Sequence, residues 1–163
     1  MPPSSPSPRS THDPDGAGRG RERLELPAVP GAAGDARRFM AARLRKWGLD
    51  ALVEDCELVA SELVTNAVQA VACAAAAAAR APDPADPPPK VRLLLRRTPG
   101  RLVCEVWDPV DARPVPAAAA TFDECGRGLL LVASLASGWT CRTCPDGGKT
   151  VTAWWQLGPE LPE

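Results

Sequence analysis

One long helical stretch with a hard stop constrains this chain more than any other feature. Leu52, Cys56, Val59, Leu63 and Ala67 recur at the spacing of a single helix face. The pattern runs on into "VACAAAAAA" (71–79), and alanine is the best helix former, so one helix is expected to continue through it. Asp50 stands where a side chain caps such a helix. The stretch "ARAPDPADPPPK" (79–90), with five prolines, must then end it, because proline removes donors and fixes φ. Whatever strands follow are cut off from the helix by a loop.

Strands do follow. "KVRLLLRR" (90–97) and "RLVCEVW" (101–107) flank "TPG", which suits a hairpin turn. "WTCRTC" and "KTVTAWWQL" form a second candidate hairpin around "PDGG". Upstream, "RLELP" (23–27) alternates like a strand, and "GDARRFMAARLRKWGL" places Ala36, Phe39, Met40, Leu44 and Trp47 at helical spacing before Gly48 ends the run. "GLLLVASLA" (128–136) reads as a short helix opening at a glycine pair. The order β-α-α-β-β-loop-α-β-β predicts an α/β (α+β) two-layer sandwich, a mostly antiparallel sheet packed on helices. Residues 1–21, rich in Pro, Ser, Gly and charge, read as a disordered tail, 22–158 as one domain and 159–163 as a short C-terminal tail. The proline-rich segment 108–128 is about twenty residues long, and loops of that length are usually functional or disordered.

Composition excludes several classes. The formal net charge of −1 argues against nucleic-acid binding driven by charge. The run 71–79 is short and alanine-rich for a membrane span, and "MPPSSPSPRS" lacks the apolar core of a signal peptide, so a cytoplasmic protein is expected. The only histidine, His12, lies in the tail, which rules out histidine-based catalysis. Most of the six cysteines fall in apolar segments, where a thiol acts as a small hydrophobe. Cys141-x-x-Cys144 has no second such pair and no nearby histidine to complete the four ligands of a structural zinc.

Three polar features interrupt this pattern. Glu62 and Asn66 stand at i and i+4, on one face at the edge of the apolar stripe. A buried carboxylate needs a partner, and an amide oxygen beside it suits magnesium; an ordinary solvated helix face is the alternative. Asp108 closes a strand, either as a turn former or as an acceptor for an exocyclic amine at a pocket floor. Gly126, Arg127 and Gly128 open the short helix, where free N–H groups attract phosphate. "GGKT" (147–150) is not a P-loop: position 143 is threonine rather than glycine, and the lysine opens a strand.

Together, "ELVASELVTNAVQA", "VWD", "GRGLLLVASLASGW" and "GGKTVTAWW", in this order and spacing, resemble the GHKL ATPase domain of histidine kinases and type II topoisomerases. The resemblance covers roughly residues 22–157 and is nearest to the short, stand-alone branch of bacterial anti-sigma-factor and related regulatory serine kinases. It implies ATP and Mg2+ as ligands, with Glu62 as general base and Asn66 on the magnesium. It also implies that Asp108 accepts from the adenine amine, that Gly126, Arg127 and Gly128 meet the phosphates, and that Thr150 lies on the inner sheet near the adenine. Residues 109–125 would form the lid. Val110 departs from the family pattern, which has glycine or a small residue there, so this turn is expected to differ. The implied function is phosphorylation of an anti-anti-sigma-type protein, with capture of a sigma factor by the same chain. A nucleotide-dependent binding switch without phosphoryl transfer is the alternative reading, and a remnant that no longer binds ATP is a third. Relatives in this branch often pair, so a homodimer is compatible with the resemblance.

Overall fold

The computed structural model describes residues 10–12, 20–78, 83–111 and 124–159. Among these residues, six strands make one antiparallel sheet in the order β1-β2-β3-β4-β6-β5. They are β1 (Ser10–His12), β2 (Arg21–Pro27), β3 (Lys90–Thr98), β4 (Arg101–Asp108), β5 (Gly138–Thr143) and β6 (Lys149–Gln156). The helices are α1 (Ala32–Lys46), α2 (Val53–Ala77) and α3 (Glu124–Leu135). The five longer strands and the helices form the expected two-layer α+β arrangement, a sheet packed on helices.

Alternation along the strands decides which sheet face meets the helices. Leu24 and Leu26 of β2, Val91, Leu93 and Leu95 of β3, and Leu102, Cys104 and Val106 of β4 are all buried. Val151, Ala153 and Trp155 continue that face on β6. Strand residues two apart share a face, so each sequence supplies one apolar row. The register joins the rows across the sheet as Leu24, Leu93, Val106 and Val151. Against them pack Met40 and Leu44 of α1 and Val59, Leu63 and Val64 of α2, all nearly inaccessible to solvent. Full burial of one such side chain contributes about 1.5–3 kcal/mol.

The helix α2 does run on into the alanines. Counted from Asp50 it is long and apolar enough to cross a membrane, contrary to the expectation from the alanine run alone. Its buried stripe, from Val53 to Ala67, is instead core against α1 and the sheet. Asp50 does not cap it; Asp50–Leu52 form a 3₁₀ turn before α2, and no side chain bonds either N-terminus. Burial pushes the Cys104 thiol up to about 12, as befits a core hydrophobe. Both hairpins form as expected, around residues 99–100 and 144–148.

Two boundaries differ from expectation. Ser10–His12 pair with Leu24, Arg23 and Glu22 as an edge strand inside the segment read as a tail. The helix α3 opens at Glu124, four residues before the glycine expected to start it. The remaining tail positions, 1–9, 13–19 and 160–163, and lid residues 112–123 lie outside the described residues.

Candidate functional site

One polar cluster is built where α3 meets α2. Glu62 and Asn66 project from one face of α2, both half-buried. Gly128 of α3 lies directly on them. A Cβ at position 128 would stand 2.5 Å from Glu62 Oε2 and 3.5 Å from both polar side-chain atoms of Asn66. Glycine is therefore the residue that lets α3 come this close. Asn66 Nδ2 is buried and has no hydrogen-bond partner among the described residues. Turning the amide by 180° puts its carbonyl oxygen in the same unsatisfied place. An unsatisfied buried polar group costs about 1–3 kcal/mol, which argues against a merely solvated helix face.

A second polar cluster is built at one end of the sheet. The register that buries Val106 against Val151 carries the next inner row, Asp108 opposite Lys149. Both are buried, 2% and 4% exposed, where charged residues almost never sit unless paired. Lys149 Nζ lies 2.8 Å from Asp108 Oδ2 and 3.0 Å from Oδ1. The Val110 N–H donates to the same Oδ1 at 2.8 Å, closing an Asx turn on the residue that departs from the family pattern. Burial holds the Asp108 carboxyl above its ordinary range, and its bonds from Lys149 and the Val110 N–H only partly offset this.

The hairpin turn beside Asp108 is tied to the same corner. The Gly148 N–H donates to Asp111 Oδ1 at 2.7 Å. Gly148 has φ +81°, and a Cβ there would collide with the Asp108 carbonyl oxygen and the Trp107 ring. Position 148 thus needs glycine both for its backbone and for its surroundings.

A helix carrying a carboxylate and an orphaned amide, a glycine laid across them and a buried aspartate at a strand end are set in one antiparallel sheet with helices on a single face. Residues 26–155 match the family model of the histidine kinase-like ATPase domain. The chain belongs to that family. No curated protein matches the chain. Histidine kinase-like ATPase domains bind ATP with Mg2+ as a general property.

The residues present in this ATPase domain fit a magnesium ion. Among the described residues no three His, Cys, Asp or Glu side chains gather into a metal cage. Magnesium does not need one: it binds one or two protein oxygens and keeps waters and phosphates as its other ligands. The buried, unpartnered amide of Asn66 beside the Glu62 carboxylate offers hard oxygen donors of that kind.

Other expected site residues are placed differently. With α3 opening at Glu124, Gly126 and Arg127 lie in its first turn, and Gly126 is among the positions whose N–H groups lack intrahelical partners. Gly128 lies beyond them and serves close approach instead of presenting a free N–H. Thr150 does not join the inner face. It pairs across strands with Trp107 on the face turned away from the helices, and its hydroxyl lies 3.3 Å from Cys144 Sγ. It borders a cavity of about 290 Å³ there, with Arg92, Trp107 and Arg142. The inner position beside Asp108 belongs to Lys149, one residue earlier, which the sequence reading did not select. Alternation back from Trp155, Ala153 and Val151 was the signal that could have found it.

Proposed function

We propose that the protein is an ATP-dependent serine/threonine kinase of an anti-anti-sigma-type partner in the cytoplasm, able also to hold a sigma factor. The observation that carries this reading is the contact of Gly128 with Glu62 and the unsatisfied Asn66 amide. Packing alone does not account for a buried amide without a partner, whereas phosphate chemistry does. In this reading Asn66 holds magnesium, which neutralises charge on the phosphates when bound. Gly126 and Arg127 in the first turn of α3 receive the phosphates, through the free Gly126 N–H and the positive end of the helix dipole. Glu62 accepts the proton of the partner's serine hydroxyl as that oxygen bonds to the γ-phosphorus. The bond from this phosphorus to the bridging oxygen breaks, and ADP leaves with the electron pair. Positioning and charge stabilisation supply most of such a rate.

A second reading is favoured by the same contact. Because α3 rests on Glu62 and Asn66, nucleotide occupancy that moves α3 would change the surface offered to a partner without any transfer. The two readings separate in one experiment. The protein is incubated with γ-labelled ATP, magnesium and anti-anti-sigma-type proteins of its own organism. Label on a serine or threonine of one of them, lost in Glu62→Ala, supports the kinase. Nucleotide-dependent binding of a partner without label supports the switch, and undiminished labelling by Glu62→Ala refutes the base assignment.

A further inference from the structure

The ion pair at the end of the sheet has spare capacity on both members. Among the described residues, Asp108 Oδ1 accepts from the Val110 N–H and from Lys149, whereas Oδ2 accepts only from Lys149. A carboxylate oxygen takes two hydrogen bonds, so Oδ2 keeps one acceptor site. The ammonium carries three donors, and its contact beyond Asp108 is a long one, 3.4 Å to the Val110 carbonyl oxygen. One donor is therefore weakly used, beside one free acceptor. Neither group can leave cheaply. With Lys149 4% exposed, a base that pushed the ammonium off Asp108 would strand a charge in the interior.

We propose that Asp108 and Lys149 read the nucleotide base together, making Lys149 a specificity-determining residue. The inference rests on the nucleotide-binding reading of this site. Asp108 accepts from an exocyclic amine, and Lys149 donates to the ring nitrogen next to it. Adenine carries that pair on its Watson–Crick edge, a donor at N6 beside an acceptor at N1. Guanine has the opposite polarity, an acceptor at O6 beside a donor at N1. It would set oxygen against carboxylate and N–H against ammonium. An aspartate alone tests one position of the base; the pair tests two.

The test is calorimetric titration of the full chain with ADP, GDP and 1-deaza-ADP, which lacks the N1 acceptor. Wild type and Lys149→Met are compared, with Asp108→Asn/Lys149→Met as a variant that leaves no buried charge unpaired. Thermal melting checks that each variant folds. Wild type should prefer ADP over 1-deaza-ADP by roughly tenfold or more, the worth of one charge-assisted hydrogen bond. Lys149→Met should lose most of that preference and tolerate GDP better relative to ADP. The same preference for ADP over 1-deaza-ADP in wild type and both variants would overturn the role of Lys149 and leave ATP binding standing. No binding of ADP or ATP to wild type at millimolar concentration would instead overturn the nucleotide reading, and the base-reading role with it.

Discussion

Gly128→Ala should separate stability from chemistry. The added methyl would stand 2.5 Å from Glu62 Oε2, closer than real contacts allow, so something must move. The colliding atom is the far end of a flexible side chain, and the Asn66 atoms at 3.5 Å are at ordinary contact. Overpacking costs about 1–3 kcal/mol, at the low end where the neighbour can rotate away. Replacing glycine by alanine within a helix returns about 0.8–1 kcal/mol. The two nearly cancel, so the melting temperature should shift by no more than about 2–4 °C. Activity should not survive as well. A displacement of about 1 Å in a reacting group costs roughly a hundredfold, and Glu62 is the group displaced. The assay pairs thermal melting with phosphoryl transfer or ATP hydrolysis. Gly34→Ala in α1 is the control: its Cβ would meet only Arg38 Nη1, at 3.6 Å, so it should stabilise with activity unchanged. Wild-type turnover in Gly128→Ala would refute the reasoning. A loss of stability as large as a core truncation would also refute it, by showing that the contact is structural.

Asn66→Leu removes the unsatisfied buried amide, so melting temperature should rise while magnesium-dependent ATP binding is lost; a drop in stability would mean the amide has a partner in solution. Gly148→Ala should destabilise by about 1–3 kcal/mol in chemical denaturation, since both φ +81° and the Asp108 carbonyl oxygen oppose a side chain there; an unchanged midpoint would contradict the turn geometry. Asp108 should titrate above 3.8 by carboxyl NMR, because burial outweighs its hydrogen bonds. Its native state then holds a proton that the unfolded state has lost, so this group's contribution is full below the unfolded pKa and disappears as pH rises through the folded one. Lys149→Met should move the titration further upward, and a value at or below 3.8 in wild type would show that the ion pair wins.

The parts of the fold legible in the sequence were those carried by period and by punctuation. The stripe from Leu52 to Ala67 marked α2, the prolines of 79–90 marked its end, and both hairpins announced themselves through their turn residues. Local chemistry was less legible. Thr150 was placed by likeness to a family motif, and a shift of one residue along a strand turns a side chain to the opposite face, so Lys149 took the inner position. Ser10–His12 joined the sheet because an exposed edge offers unpaired backbone groups to any nearby segment, and composition does not register that. Gly128 looked like a phosphate-binding helix start. Only its distance to Glu62 reveals the need for a missing side chain, and no local pattern encodes a contact between positions 62 and 128.

In the proposed function, Glu62, Asn66 and Asp108 belong to one Mg·ATP site. This grouping is tested most directly by calorimetric titration of ATP, with and without magnesium, into wild type, Asn66→Ala and Asp108→Asn. Binding to wild type should be saturable and strengthened by magnesium. Asn66→Ala should abolish the magnesium dependence, and Asp108→Asn should weaken binding whether or not magnesium is present. Equal binding by all three proteins, or none by wild type at millimolar ATP, would contradict it.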